Sequence, residues 1–236
     1  MTRLVGYMLA SCFVLGTVLA EAQEKQWMAV MVNGKKVGYY KKQRIANADS
    51  VITTELMAYE IDAGTDKIDL LSVNETVETT TGKLMRFRKE SIQNDVKRRL
   101  VGQVVGDTLH VAGLVNDKKS IDMMSWPEDV VMIEGRRLLA LKHGLKPGTK
   151  YHPRQFMVDF MAIADVVIEV GERSDVQIFD QVEQLTEIRE VLRVRGQALS
   201  TLMYINDQMR TMKAIIPQLS MEMIDCNEVY AMTPPE

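Results

Sequence analysis

The chain has 236 residues, 46% hydrophobic and 26% charged, a balance that argues against disorder and fibrous repeats. A formal net charge of -3 gives no general attraction to nucleic acid or anionic lipid, and a chain of this size needs no disulfide or metal to hold a core. Two cysteines and three histidines leave little material for metal or nucleophile chemistry, whereas 17 methionines are an excess.

Residues 1–22 read as an address. Arg3 supplies a positive start, Leu4 to Ala20 is uncharged and almost wholly apolar, and Ala20-Glu21-Ala22 offers small residues where a signal peptidase reads. Cleavage before Gln23 is the favoured reading. An uncleaved anchor is one alternative, because the apolar run is long enough to approach a membrane span. Lipidation is another, because Leu9-Ala10-Ser11-Cys12 looks like a lipobox, although the apolar run continues past it through Phe13, Val14 and Leu15. Export would make the protein periplasmic and leave Cys226 as its one thiol, with no intramolecular disulfide.

From Trp27 onward the text reads as strands. Trp27 to Val32 and Lys35 to Tyr40 flank Asn33-Gly34, whose two residues tolerate the positive φ of a type I′ hairpin turn. Further strands are expected over Val51–Ile61, Ile68–Thr80, Leu84–Gln93, Asp95–Val105 and Thr108–Val115, with Gly82, Gly106 and Asn116-Asp117 as punctuation. Within 84–91, strict alternation puts Leu84 with Arg86, Arg88 and Glu90, and Met85 with Phe87.

One helix is expected over 128–143. Ser125-Trp126-Pro127-Glu128 fits a capping box, Glu128 and Asp129 suit the positive end of the dipole, and Gly144 is a natural stop. Gly135 is the residue inside it that weakens the case. Strands resume over Tyr151–Phe160, Asp165–Gly171, Ser174–Phe179 and Glu187–Arg195. A hairpin of Leu199–Ile205 and Gln208–Ile215 turns about Asn206-Asp207, and a last strand near Ser220–Asp225 leads into Val229-Tyr230-Ala231. The tail Thr233 to Glu236 is expected to fray. No linker divides the chain. The expected fold is mainly β: a single domain over 23–236, an antiparallel meander forming a curved sheet, half-barrel or sandwich with one inserted helix.

Chemistry is sparse. Cys226 follows a strand and sits beside Asp225, which raises rather than lowers a thiol pKa, so it reads as structural. His110, His143 and His152 are scattered without metal-ligand spacing, and Glu128-Asp129 are explained by the helix start. Lys35-Lys36, Lys41-Lys42-Arg44, Arg86-Arg88-Lys89 and Lys97-Arg98-Arg99 could line a groove for an anionic ligand; solvated strand faces explain them as well. The methionine clusters Met123-Met124, Met157 with Met161, and Met203, Met209, Met212, Met221 and Met223 fit either an ordinary core or an adaptable apolar cavity. No catalytic, cofactor-binding or metal-binding residue is assigned.

Several phrases resemble a known family. Trp27 to Tyr39 is similar to the opening "W…NGKKIGY" of the β-rich domain that precedes the catalytic core of bacterial transglutaminase-like proteins. Glu78 to Leu84 resembles that domain's "E…T.DGK" turn, Leu145 to Thr149 its "L.PG" turn, and Met203 through Met223 its closing hairpin. Met203-Tyr204 stands where a Trp is expected, and Gln208 where a Gly is. The likeness runs over nearly all of 24–232. Since the family's catalytic Cys, His and Asp belong to a following domain, the resemblance implies a non-enzymatic accessory module with a transglutaminase-like or protease-like partner. A carrier of an apolar or lipid-like ligand, held between a curved sheet and the 128–143 helix, is the alternative. An enzyme using Cys226 comes last.

Overall fold

The computed structural model describes residues 22–62 and 67–235. The expected leader lies outside them except for Ala22, where the first strand begins. Eight strands follow one another as an antiparallel meander: β1 (Ala22–Val32), β2 (Lys35–Ala46), β3 (Ser50–Asp62), β4 (Lys67–Thr79), β5 (Leu84–Gln93), β6 (Val96–Val105), β7 (Thr108–Val115) and β8 (Lys118–Ser125). The chain then crosses over through β9 (Val130–Val131), α1 (Ile133–His143) and β10 (Lys150–Tyr151). A second meander runs through β11 (Arg154–Met157), β12 (Ala162–Ile178), β13 (Gln181–Val194), β14 (Gln197–Ile205), β15 (Thr211–Ile216) and β16 (Met221–Cys226). β16 pairs with β1, so the two meanders are one sheet, ordered from β8 through β1 and β16 to β9. A short helix, α2 (Glu228–Met232), follows β16.

That sheet is curved and open. β8 and β9 are its two ends, yet only residues 126–129 separate them along the chain. A flat sheet of fifteen strands in one path would be roughly 65 Å wide at about 4.8 Å per strand, whereas the connection spans at most about 18 Å. The sheet therefore curls until its two ends lie close together without pairing. Trp126 anchors the crossing: its N–H donates to the Asp107 carbonyl at 2.7 Å, and its ring packs edge-on to Phe156.

The concave face carries the core. Leu84, Phe87, Leu100, Leu109 and Val111 meet Trp126, Met132 and Phe156 at one side. Ala164, Val166, Ile168, Ile188 and Leu192 pack at the other. A smaller cluster of Val176, Ile178, Leu185 and Ile224 lies on the opposite, convex face. A bulge between Val170 and Arg173 reverses the alternation of β12 and turns the end of the β12–β13 hairpin toward that face.

The Asn33-Gly34 hairpin forms with φ of 50° and 75°, as its type I′ chemistry requires. Four expectations are corrected. The helix begins at Ile133 rather than 128, and the capping box does not form: Glu128 instead reaches Lys83 at 3.3 Å, and Asp129 reaches Arg154 at 3.0 Å. The residues after Asp117 make an eighth strand, β8, which its polar start concealed. The expected strands over 165–171 and 174–179 are one bulged strand. The face assignment in β5 also changes, because a bulge opposite Val77 and Glu78 brings Leu84 and Phe87 to the same buried side.

The start of α1 is capped from a distance. Its N-cap residue, Met132, makes no side-chain cap bond. Glu78 on β4 accepts from the Glu134 N–H at 2.8 Å and the Gly135 N–H at 3.0 Å, satisfying two donors that a helix start leaves unpaired. Burial pushes the Glu78 carboxyl up, partly countered by these bonds. Glu134 is itself held by two forked guanidinium pairs, Arg44 at 2.8 and 2.9 Å and Arg137 at 2.8 and 2.9 Å. Burial opposes its ionisation, but the two arginines override it and bring its pKa from 4.5 to about 2.

Gly135, unfavourable by helix propensity, is required by contact. A Cβ there would stand 2.6 Å from the Gly82 carbonyl oxygen, and one on Gly82 would stand 2.4 Å from Gly135 Cα. Ordinary helix propensity favours Gly135→Ala by about 1 kcal/mol. Here we expect it to lower stability by roughly 1–3 kcal/mol through overpacking, seen as a reduced thermal midpoint. Glu134 sets an acid limit. Its folded pKa is depressed, so its stabilisation is complete above pH 4.5 and is lost as pH falls toward 2, about 3 kcal/mol in all. Glu134→Gln should flatten the fall of unfolding free energy across that window while lowering stability at pH 7.

Candidate functional site: the concave cavity

The start of α1 and strand β11 cross the concave face like a strut. Ile133 and Gln155 on the strut, with Tyr40 and Glu55 on the sheet below, border a cavity on each side. The larger, about 730 Å³, lies over β3 to β6 and is mostly polar along its floor, with Ser72, Asn74, Ser91 and Arg98. The smaller, about 420 Å³, lies between α1 and the strands β1, β2 and β12 to β16. Its walls include Met28, Ile168, Ile188, Met203, Met209 and Met223. Both volumes fall within the roughly 300–1,000 Å³ typical of small-molecule sites.

Strand alternation explains the lining. On β2 the residues Tyr40, Lys42 and Arg44 share the concave face, while Tyr39 and Lys41 face outward with Trp27, whose ring lies 5.2 Å from the Lys41 ammonium. Tyr40 donates to Glu55 Oε1 at 2.7 Å, and Asn74 Nδ2 approaches Glu55 Oε2 at 3.4 Å. Burial, then the Glu55 charge, pushes the Tyr40 phenol well above its ordinary range, so it stays a donor. Arg136 of α1 is paired with Glu190 and donates to Gln155 at 3.0 Å. Gln26 donates to Asp225 at 2.9 Å and to the Thr211 carbonyl at 2.6 Å. The smaller cavity thus joins an apolar wall of methionine and isoleucine to a polar floor.

The sequence-derived candidates separate. Cys226 is a free thiol paired across from Trp27, on the face opposite the cavity. Burial pushes it up, with Asp225 adding to the rise, against a hydrogen bond from the Ala29 backbone and the Lys36 charge. His143 stacks on Tyr151 with centroids 4.5 Å apart, while His110 lies exposed on β7 and His152 is exposed beside Tyr151. No group of three metal-ligating side chains occurs among the described residues. The basic runs are split by alternation, and some of their members are ion-paired: Arg44 reaches Glu134, Arg88 and Arg99 reach Glu90, and Lys89 reaches Asp159 at 2.5 Å. The methionines also divide. Met203, Met209 and Met223 line the smaller cavity and Met157 the larger, whereas Met123 is exposed and Met212 packs on the convex face. Sequence reasoning missed Tyr40, Glu55, Gln26 and Glu190. The alternation of β2 and β3 was the signal that could have placed the first two on one face.

No protein-family model matches this chain, and no curated protein matches it. Among solved structures it is similar to a β-barrel-like protein of the domain of unknown function DUF1849 from Brucella abortus. The two share 10% sequence identity with a TM-score of 0.59, over 86% of this chain and 95% of that one. The similarity is one of fold, an open β-barrel-like sheet.

The raised thiol pKa has a measurable consequence. Alkylation of Cys226 by iodoacetamide at pH 7 should be slower than in the unfolded chain, with the pH midpoint of the rate displaced upward. The modification should leave occupancy of the concave cavity unchanged, since the thiol lies on the other face.

Proposed function

We propose that the protein is an exported, non-catalytic binding module that carries an apolar or lipid-like ligand in the cavity between α1 and the sheet. The observation that supports this most is the cavity itself: about 420 Å³, bounded by flexible thioethers from Met28, Met203, Met209 and Met223. Methionine is unbranched and polarizable, so such a wall adapts to chains of irregular shape. The polar floor would orient one end of the ligand. The apolar leader of residues 1–22 supports a periplasmic setting, where water-insoluble molecules need a carrier between membranes.

A second reading, an accessory module for a transglutaminase-like partner, has one structural observation in its favour. Phe179, Val229, Tyr230 and Met232 expose apolar surface around α2, with the Phe179 and Tyr230 rings 4.9 Å apart. Native mass spectrometry of protein purified from the periplasm separates the two readings. A retained small molecule supports the carrier, and a retained protein the accessory module.

The carrier reading is tested by fluorescence of N-phenyl-1-naphthylamine, an uncharged apolar probe. Binding should enhance and blue-shift its emission, and straight-chain amphiphiles should displace it. Each added methylene should tighten displacement about fourfold, from about 0.8 kcal/mol per buried methylene, until the cavity is filled. Ala140 on α1 lines the cavity, so Ala140→Trp should weaken probe binding by roughly tenfold or more while thermal stability stays near wild type. Probe binding that ignores both chain length and Ala140→Trp would overturn the proposal.

A further inference from the structure

The concave row of β2 holds an asymmetry. Tyr40 is committed to Glu55, and Arg44 to Glu134 and, at 3.1 Å, to Glu24. Lys42 stands between them, partly buried, and lines the smaller cavity. Among the described residues it has no ion-pair or hydrogen-bond partner. Its cross-strand neighbours are Gln26 and Glu55. Both are already engaged: the Gln26 amide donates to Asp225 and Thr211, and the two Glu55 oxygens face Tyr40 and Asn74.

The remaining charges of the lining are also accounted for. Arg136 is paired with Glu190, and Arg137 with Glu134. Of the three cations in the lining, Arg136 and Arg137 are thus neutralised, and of its two carboxylates Glu190 is paired while Glu55 is held by the neutral donors Tyr40 and Asn74. Lys42 is the one cation of the lining without an ion-pair or hydrogen-bond partner among the described residues, and it sits at the polar floor beneath an apolar wall. An unpaired ammonium within a partly desolvated cleft is a strong site for an anion, because the competing solvation by water is reduced there.

From this placement we infer that the ligand is a single-chain amphiphile with an anionic, carboxylate-type head, and that Lys42 is the specificity-determining residue that receives it. The chain extends along Met28, Met203 and Met223, and the head lies between Gln26 and the Arg136–Glu190 pair. This inference rests on the carrier reading above and adds the identity of the head group.

The experiment compares laurate with dodecan-1-ol as displacers of N-phenyl-1-naphthylamine at pH 7.5, in wild type, Lys42→Gln and Lys42→Arg. The two ligands share a chain length and differ in charge. Laurate should bind wild type roughly tenfold more tightly than the alcohol, the scale of a charge-assisted hydrogen bond. Lys42→Gln should abolish that preference while leaving the alcohol's affinity within about twofold. Lys42→Arg should retain the preference, which separates loss of charge from loss of fold. Equal affinities in wild type, or a laurate preference that survives Lys42→Gln, would overturn the head-group assignment while leaving the carrier intact. Displacement by neither ligand would overturn both.

Discussion

The geometry of this protein depends on a short covalent tether. The two ends of one long sheet, β8 and β9, are consecutive strands in the chain, joined by residues 126–129. Fifteen strands cannot lie flat and still have their ends so close, so the sheet must curl, and curling creates an inside. The right-handed twist of β-strands supplies the bend in part, and the bulges in β2, β5 and β12 localise it. Because the ends are not hydrogen-bonded to each other, the inside is a cleft rather than a sealed barrel.

What fills the cleft is decided by electrostatics as well as by packing. An 11-residue helix crosses the concave face, and its first turn is fastened to β2 and β4 by charged groups. Two buried carboxylates lie next to one another there with opposite behaviour. Glu78 serves as a remote cap and is raised by burial, while Glu134 is gripped by two arginines and held strongly acidic. Breaking either partner would strand a buried charge, which is more costly than the intact network is stabilising. The strut so fixed leaves open space on both flanks, where a helix packed by apolar contacts alone could settle further into the sheet.

Much of the fold was legible in the sequence because strands and hairpin turns carry local signals. Asn33-Gly34, Gly106 and Asn116-Asp117 mark turns through residues that accept positive φ, and all three lie where strands reverse. The failures were non-local. The start of α1 was misplaced because Ser125 to Glu128 imitates a capping box, while the actual cap, Glu78, lies 56 residues from the N–H it accepts. β8 was missed because Lys118-Lys119-Ser120 reads as a loop when no partner strand is known. Leu84 was set on the wrong face because a bulge is invisible to a strict period of two. The cavity was anticipated as a methionine-lined space between a curved sheet and the helix, without the residues that face it being told apart. Which methionines face inward depends on curvature, and curvature comes from the tether.

The pairing of the first strand with the last has a bearing on how the chain assembles. β1 to β8 can zip together hairpin by hairpin, through contacts between neighbours in sequence, and the same holds for β12 to β16. The junction between the halves is different. Trp27 pairs with Cys226, a separation approaching the whole length of the chain. During synthesis, the free side of β1 emerges first and waits for β16, exposing Met28 and Val30, which are almost fully buried in the finished protein. An unpaired, apolar strand edge is a template for wrong partners. The six residues Met221–Cys226 thus act as the clasp that ends this exposure, and a chain interrupted ahead of them would hold a complete first meander with its most adhesive edge still open.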